Sequence, residues 1–567
     1  MGFKGILGRS TLANYARRIK SAPREVIISP SLIISSMMYA SSAIPLSKST
    51  SNPTAYSSVI DDLLAWDQGS ASTVASLPGF QQHFGISSGS NAEAIRNIVS
   101  LVYVGDAAGA ALSFFFNDRI GRLWSFRLYT AVWIIGQLIA IFSPGTAGLY
   151  AARIVSGLGI GALSVTGSMS VVEIAPAEIR GLLTSWYSVS MALALMAANL
   201  CVYGVQLHIA TSRLQFQVVY FAPCVFMSLW IVASFFLCES PRWLLLSDKH
   251  DEALETLLRL RCLPAHHPRV QQEVQSIKES LRSEAQSCDI NDHSPSKIVS
   301  NAKEMFLVPS NLRRVQQVLI LYMFPQVSGG NSMTNYFVPV LEIIGLAGDS
   351  TRHLFLSGMY AMSKFFFCLI ASFFFIDALG RRNSLFTGII IQMISDIYLG
   401  AYIKVQQDDG TSRAASKAAL AAIFVHAFGF SIGLLTLPYV FGGELWPNRI
   451  RSFGSAMSQT FHWLFHYAMT FGTPSLLAET DNWGAFIFFA AWCFIALLYV
   501  YLLVPEVSGY TVEEIDRIFN MPWRVTNRRK PQDSSPVLEG QDVDRVPSHI
   551  VETSISATKQ TKELQIK

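Results

Sequence analysis

Long apolar runs separated by short polar turns fill most of the chain. About 20 mostly apolar residues carry a helix across the hydrocarbon core of a bilayer, so each run of that length predicts one membrane-spanning helix. Eleven runs meet this description, near residues 97–116, 124–143, 147–172, 182–206, 216–238, 314–342, 353–376, 384–404, 416–442, 452–475 and 483–504. The pattern predicts an all-α polytopic membrane protein.

A twelfth span is expected before the first clear run, near residues 57–78, but this segment is poorly hydrophobic. It contains three acidic residues, Asp61, Asp62 and Asp67. The upstream stretch "VIISPSLIISSMMYASSAIPL" is more apolar, and the alternative interpretation makes it a signal-anchor or a competing first span. Either Asp67 lies in the first membrane helix, or its segment lies outside the membrane.

Composition agrees with a membrane protein. Hydrophobic residues make up 51% of the 567 residues and charged residues only 14%, whereas soluble domains carry about 25% charged residues. The 7 cysteines lie mostly within apolar runs and lack the close pairs of a disulfide or zinc framework. A net charge of +4 gives no reason to expect nucleic acid as a partner. Neither a cofactor nor a metal is expected.

Basic residues accumulate in alternate loops. Lys and Arg are enriched in the cytoplasmic loops of membrane proteins. If the spans alternate, one side holds Arg119, Arg122 and Arg127, then Arg180, the segment 239–313, Arg381 and Arg382, Arg449 and Arg451, and the cluster at 524–530. This side is predicted to be cytoplasmic. Twelve spans would place both termini there, and we expect the plasma membrane.

Two charged motifs occur twice. "NDRIGR" and "IDALGRR" place an aspartate at 118 and at 377, 259 residues apart, and "EIAPAEIR" and "ELWPNRIR" begin at 173 and 444, 271 residues apart. This recurrence predicts two similar six-helix halves, 57–238 and 314–504, with a substrate site between them. A connector with amphipathic helices (239–313) joins them. Residues 1–56 and a largely disordered tail, 505–567, are predicted to be cytoplasmic.

The chain resembles the sugar porter family of the major facilitator superfamily, and its fungal members most of all, in seven segments. These run in family order from about residue 60 to 520: "FNDRIGR", "RIVSGLGIGA" with "EIAPAEIRG", "ESPRWLL", "QVSGGNSMTNYF", "IDALGRR", "GELWPNRIRSFG" and "PEVSGYTVEEID". The resemblance implies twelve transmembrane helices in two pseudo-symmetric six-helix bundles. It also implies alternating access, in which the bundles rock about a central site.

Charged residues at the cytoplasmic ends of both halves form a predicted gate. Ion pairs that are made in one state and broken in the other bias a two-state equilibrium. Topology alone is the alternative explanation, but topology requires no carboxylate at a fixed spacing. The predicted gate residues are Asp118, Arg119, Arg122, Glu173, Arg180, Glu239, Arg242, Asp377, Arg381, Arg382, Glu444, Arg451 and Glu506.

Asp67 and Arg153 match the first-helix aspartate and fourth-helix arginine of proton-coupled sugar porters. The resemblance therefore implies that they couple transport to protons. A carboxylate beside a guanidinium stays ionised, whereas one parted from it in a dry site takes up a proton more readily. Lys364 matches a lysine often present in fungal relatives, and snorkelling or a structural pair is its favoured role.

The segment "PQVSGGNSMTNY" matches the family's substrate-binding pattern in part. Gln326, Asn331 and Tyr336 match, whereas Pro325 replaces a glutamine and Asn335 a tyrosine. Other positions that correspond to family binding residues are Ser188, Tyr439, His462, Trp463 and His466. Side chains that donate and accept hydrogen bonds beside aromatic rings suit a polyhydroxylated molecule. The resemblance implies a sugar, or a related polyol or sugar acid.

His462 and His466 lie one helical turn apart, a spacing also seen for paired metal ligands. No glutamate lies between them and no third ligand is evident, so metal binding is the least favoured interpretation. A neutral polar lining is favoured, and a titrating role beside an anionic substrate stays open. The glycine run "GLGIGALSVTG" lies within an apolar helix, where small residues permit close packing, so no nucleotide site is predicted.

The sequence favours a secondary active transporter over an enzyme, most simply a proton symporter. A facilitated uniporter and a non-transporting sugar sensor are the alternatives. Known sensors tend to have long tails, and a tail of only about 60 residues favours transport. The changes at Pro325, Asn335 and Ser188 favour a sensor or a narrowed substrate range. The predicted partners are a small-molecule substrate, protons and the lipid bilayer, and the oligomeric state stays open.

Overall fold

The transmembrane part of the chain is helical, as a computed structural model of the protein shows. The structure describes residues 55–86, 92–174, 180–261, 263–285, 302–346, 350–375, 379–410, 412–447, 450–506 and 519. The predictions for residues 1–54, for Pro176 and for the tail beyond Phe519 fall outside the described residues.

The first bundle contains six spanning helices and one short helix between the first two spans. Its helices are α1 (Ala55–Val74), the short α2 (Pro78–Phe84), α3 (Ala92–Ile120), α4 (Arg122–Phe142), α5 (Thr146–Ile174), α6 (Arg180–His208) and α7 (Leu214–Ala233), which continues as a 3₁₀ turn over Ser234–Phe236. The doubtful first span is therefore a helix. It packs against α5 and α6 inside this bundle.

The second bundle also contains six spanning segments, three of which are broken or distorted. Its helices are α11 (Pro309–Val327), α12 (Gly330–Asn335), α13 (Phe337–Ile343), α14 (Ser350–Ile370), α15 (Arg381–Asp409), α16 (Arg413–Phe430), α17 (Leu437–Glu444), α18 (Arg451–Glu479) and α19 (Trp483–Leu503). Helices α11–α13 form one span, interrupted at Gly329, whose φ of 81° suits glycine. The π-helical turns Ala371–Phe375 and Ser431–Leu435 extend α14 and join α16 to α17.

Nine helices among the described residues are long and apolar enough to cross a membrane by themselves. The three remaining spans are α1, the broken α11–α13 segment and α18. Each buries polar side chains within the protein, for example Asp67, Gln326 and His466. Their low hydropathy follows from this role, because polar groups at membrane depth are tolerated where protein surrounds them.

Glycines bring α3 and α5 into backbone contact. A Cβ atom at Gly161 would lie 1.8 Å from the carbonyl oxygen of Asp106, and one at Gly109 would lie 2.2 Å from that of Leu158. No larger residue fits at either position without moving a helix. The prediction that the glycine run serves helix packing is confirmed at this contact.

The described part of the connector includes the helices α8 (Pro241–Leu246), α9 (His250–Arg261) and α10 (Pro268–Ala285). Their apolar sides pack together around Leu244, Leu245 and Ala253. Arg261 ties this layer to the first bundle, because its guanidinium donates to the carbonyl oxygen of Ile174 at 3.0 Å and to Glu273 at 2.6 Å. The connector is thus fixed to the C-terminal end of α5.

Candidate transport site

Asp67 and Arg153 form an ion pair inside the first bundle. The Nη1 atom of Arg153 donates to Oδ1 of Asp67, and its Nε atom donates to the carbonyl oxygen of Ile98 at 2.9 Å. The two residues are 2% and 1% exposed, so neither charge reaches water directly. The predicted partners are therefore in contact, and α1 carries a carboxylate that the guanidinium on α5 holds.

A small cavity lies between the bundles, beside the middle of α18. It is lined by Met191, Pro325, Asn331, Phe430, Leu434, Leu435, Pro438, Tyr439, His462, Trp463 and His466. The volume of the cavity that the centre of a water molecule can occupy is about 10 Å³. This volume holds about one water molecule. A solute as large as a sugar therefore fits only after the bundles move apart.

The polar side chains of the cavity form a hydrogen-bonded group within the second bundle. His462 lies between Tyr439, whose hydroxyl is 3.2 Å from Nε2, and Gln326, whose amide nitrogen is 3.4 Å from Nδ1. Asn331 donates to Gln326 at 2.9 Å. Both ring nitrogens of His462 therefore meet polar groups, and the resulting lining is suited to the hydroxyl groups of a solute.

A second set of polar contacts runs from the cavity to the sequence neighbour of Asp67. Gln68, the neighbour of Asp67 on α1, donates to Asn335 Oδ1 at 3.4 Å. The amide nitrogen of Asn335 in turn lies 3.3 Å from the Tyr103 hydroxyl and 3.4 Å from His466 Nε2. The first bundle thus contacts the second through polar groups that lie beside both the ion pair and the cavity.

Helix α3 of the first bundle runs along α18 of the second with side-chain contacts near both ends and at the middle. These are the guanidinium of Arg96 above the ring of Phe471 at 4.0 Å, the stacked rings of Tyr103 and His466 at 3.9 Å, and the rings of Phe114 and Phe453 at 5.4 Å. Trp463 of α18 also donates to Ser164 of α5 at 3.2 Å. The bundles therefore meet on both sides of the cavity, which agrees with its small volume.

Predicted gate residues of the first half meet at the end of α5. Arg122 forms a bidentate pair with Glu173, at 3.0 and 2.8 Å, and contacts Asp118 at 3.2 Å. Ser240 donates to Glu173 at 2.6 Å. The side chains of Arg122 and Glu173 are 3% and 2% exposed, so the pair is buried. Arg242 acts on Glu173 electrostatically, while Arg119 is exposed.

Glu239 and Glu506 take equivalent places in the two halves. Glu239 accepts from the backbone N–H groups of residues 122 and 123 at 3.0 Å each, and Glu506 accepts from those of residues 381 and 382 at 3.1 and 3.0 Å. Each helix start follows a glycine, Gly121 or Gly380, with φ of 86° or 87°. The predicted repeat is therefore visible in the backbone. Burial raises the pKa of the Glu239 carboxyl, and its hydrogen bonds to N–H groups and the charge of Arg122 oppose that change.

The other predicted gate residues are described in part. Arg382 donates to the carbonyl oxygen of Tyr501 at 2.7 Å, and Arg451 donates to that of Trp446 at 3.3 Å. Both of these hydrogen bonds join residues of the second half. Arg381 is buried. Asp377 and the side chains of Arg180 and Glu444 lie outside the described part of the chain.

The family of this chain follows from its sequence. Residues 58–519 match the family described as "Sugar (and other) transporter". The chain belongs to this family.

Curated relatives of this sugar transporter family member include quinate permeases of fungi. A probable quinate permease of Aspergillus flavus is 27% identical over 474 residues, which cover 82% of this chain and 87% of the relative. The quinate permease of Emericella nidulans is 26% identical over 467 residues, covering 81% and 86%.

Solved structures of a bacterial transporter share the fold. The proton:xylose symporter XylE bound to 6-bromo-6-deoxy-D-glucose matches with a TM-score of 0.70 at 20% identity, covering 82% of this chain and 98% of that one. The inward open conformation of XylE from E. coli matches with a TM-score of 0.62 at 20% identity, covering the same shares. The chain therefore has the twelve-helix major facilitator fold. Its membership of the sugar transporter family makes it an integral membrane transporter.

The structure groups most of the predicted substrate residues. Asn331, Tyr439, His462, Trp463 and His466 line the cavity. The remaining three lie outside this lining: Gln326 contacts the lining residues, Tyr336 donates to the carbonyl oxygen of Thr470 at 2.8 Å, and Ser188 is buried in α6.

Two residues next to the predicted site were not expected there. Tyr103 and Gln68 contact Asn335, but only the packing of α1 and α3 against the second bundle reveals this. Gln68 does follow Asp67 directly, which is a weak signal.

Lys364 is buried and donates to Thr334 at 2.8 Å, so its ammonium group does not snorkel to the interface.

Proposed function

We propose that this protein is a proton symporter, rather than an enzyme, that carries a polyhydroxylated solute across the plasma membrane with both termini in the cytoplasm. The observation that carries this proposal is the buried pair of Asp67 and Arg153. It lies next to Gln68, which contacts Asn335 beside the cavity. An ionisable pair inside a membrane protein is costly, and function is the usual reason that it is kept.

The pair supports coupling because its two charges compensate each other only while α1 and α5 hold them together. Arg153 contacts Asp67 in a site without water. A shift of α1 relative to α5 as the bundles move would leave an uncompensated charge there, which is unfavourable inside a membrane protein. Movement of the bundles would therefore change the affinity of this site for a proton as it changes access to the cavity.

The side chains of the cavity support a solute with several hydroxyl groups. Tyr439, His462 and Asn331 offer donors and acceptors, and the rings of Trp463 and Tyr439 offer flat apolar surfaces for C–H groups. The histidines are also compatible with a carboxylate on the solute. Because the curated relatives include quinate permeases, hydroxylated ring acids such as quinate are the first substrates to test, before neutral sugars and polyols.

The gate residues support alternating access. The network of Arg122, Glu173 and Ser240 fixes the ends of α4 and α5. Arg122 also donates to the carbonyl oxygen of Asn117 at 3.3 Å, close to Phe114, which contacts Phe453 of the other bundle. We infer that this network stabilises the cytoplasm-closed state.

Uptake by cells that lack their own porters tests the proposed function. The cells receive labelled ring acids, hexoses, pentoses and polyols at acidic and neutral outside pH, with and without an uncoupler. Accumulation that the uncoupler collapses identifies the substrate and supports symport. Equilibration without accumulation would favour a uniporter. Binding without uptake, by protein shown to be at the cell surface, would favour a sensor.

A further inference from the structure

A second buried carboxylate lies beside the Asp67–Arg153 pair. Asp106 is on α3 and is 1% exposed. Its Oδ1 atom has no hydrogen-bond partner among the described residues. Asp67 and Arg153 act on it electrostatically. The tight packing at Gly161 holds the backbone of Asp106 against α5, the helix that carries Arg153.

The charges of this cluster do not balance. Two carboxylates and one guanidinium carry a net charge of −1, and arginine stays charged in proteins. A net charge in the interior of a membrane protein is strongly unfavourable. One bound proton makes the cluster neutral, so the cluster has a place for one exchangeable proton.

Asp106 is the carboxylate that suits this proton. Arg153 donates directly to Asp67 and compensates its charge. Asp106 receives no such hydrogen bond at Oδ1 from the described residues. The titratable and charged groups around it are Asp67 on α1, Arg153 on α5, Tyr103 on its own helix and His466 on α18, which stacks on Tyr103. Arg153 is the cation among them that is always charged, and Asp67 already contacts it.

Tyr103 places Asp106 next to the substrate cavity. It lies one turn before Asp106 on α3, interacts electrostatically with Asp106, Asp67 and Arg153, and stacks on His466 of the other bundle at 3.9 Å. Separation of the bundles breaks this stack and changes the surroundings of Asp106. The proton on Asp106 would thus respond to the same movement that opens the cavity.

We propose that Asp106 binds the proton that is transported, and that Asp67 positions Arg153 and keeps it neutralised. This refines the proposed function and rests on it. A proton from outside converts the Asp106 carboxylate to the carboxylic acid and brings the cluster charge from −1 to zero. The same O–H bond breaks when the proton leaves on the inside, so no other reactant is needed.

The test compares Asp106→Asn with the wild-type protein in reconstituted vesicles, using the substrate that the uptake panel identifies. Asparagine has the shape of a neutral aspartic acid but cannot release a proton. The expected result is that a pH difference of one unit no longer drives accumulation, a loss of about tenfold in the accumulation ratio. Substrate exchange at equal concentrations on both sides should continue and should no longer depend on pH.

Two further variants separate proton binding from folding or shape. Asp106→Glu restores an ionisable group and should restore pH-dependent accumulation, with its midpoint displaced. Asp396→Asn is the matched control, because Asp396 is a fully buried aspartate of the second bundle, 3.4 Å from His426. It should leave coupling intact.

Coupled accumulation by Asp106→Asn would overturn the assignment and leave symport itself standing. Loss of coupling in Asp396→Asn as well would also overturn it, since the effect would then belong to buried carboxylates in general. If the wild-type protein transports without any pH dependence, the proposed function fails and this assignment fails with it.

Discussion

Replacement of Glu173 by glutamine tests the cytoplasmic gate. Glu173→Gln keeps the size of the side chain but removes the charge that neutralises Arg122. Breaking a buried ion pair by removing one partner costs about 3–5 kcal/mol. Arg122 would keep Asp118, whose side chain is 32% exposed, so we expect the lower end of this range, about 3 kcal/mol.

The lost stabilisation can affect either the conformational equilibrium or the thermal stability of the protein. If the pair forms only in the cytoplasm-closed state, a loss of about 3 kcal/mol shifts the equilibrium toward the cytoplasm-open state by about two powers of ten. If the pair persists in every state, the loss appears as lower thermal stability and the equilibrium does not move. The proposed gate requires the first outcome.

The assay measures how fast an introduced thiol reacts with a membrane-impermeant reagent from the cytoplasmic side. Phe453→Cys, in a background without other cysteines, places the thiol at the contact with Phe114. We expect Glu173→Gln to accelerate its labelling at least about tenfold. Glu255→Gln is the control, because Glu255 pairs with Arg259 on the exposed surface and is not a predicted gate residue. Equal labelling in the Glu173→Gln and Glu255→Gln proteins would refute the gate.

Three further predictions concern other parts of the account. Gly380→Ala should lower the melting temperature, because φ of 87° disfavours a side chain and the new Cβ would lie 2.9 Å from Glu506 Oε2. We expect a loss of about 1–3 kcal/mol in the free energy of unfolding. An unchanged thermal unfolding transition would contradict this prediction. Asp67→Asn should abolish proton-driven accumulation but not exchange, which counterflow measures; retained accumulation removes Asp67 from coupling. His462→Ala should weaken substrate binding about tenfold through lost hydrogen bonds with Tyr439 and the solute; unchanged affinity in a binding titration excludes His462 from the site.

Much of the fold could be predicted because membrane spans leave a direct record in hydropathy. The segment around Asp67 was the exception, since hydropathy counts its carboxylates as exposed to lipid. In the structure Asp67 is buried against Arg153, and the charges are compensated by protein rather than by water. A local measure of hydropathy cannot include a partner that lies 86 residues away.

The candidate site could be predicted only where a residue matched a family position. Asp67, Arg153 and His462 were found in this way. Tyr103 and Asp106 were not, because nothing in an apolar helix pattern says which face of α3 meets α5 and which meets α18. The equivalent roles of Glu239 and Glu506 could not be predicted either. Each carboxylate accepts hydrogen bonds from backbone N–H groups, and any residue of the donating helix could supply these groups.

The pairing of the predicted gate residues could be predicted only in part. Their repeated spacing predicted that they act together, but not which of them pair. Arg122 and Glu173 form a bidentate contact across 51 residues within one half, whereas the matching motif of the second half places Arg451 against the carbonyl oxygen of Trp446. The two halves are thus more alike in their backbone than in these side-chain contacts.

Proton movement by the purified protein tests the central claim most directly. The protein is reconstituted in vesicles that contain a pH-sensitive dye, without any imposed pH difference, and an inward gradient of the identified substrate is applied. The account predicts that protons enter with the substrate, and that Asp67→Asn abolishes this acidification while the substrate still exchanges. Substrate entry without a change in internal pH would contradict proton symport.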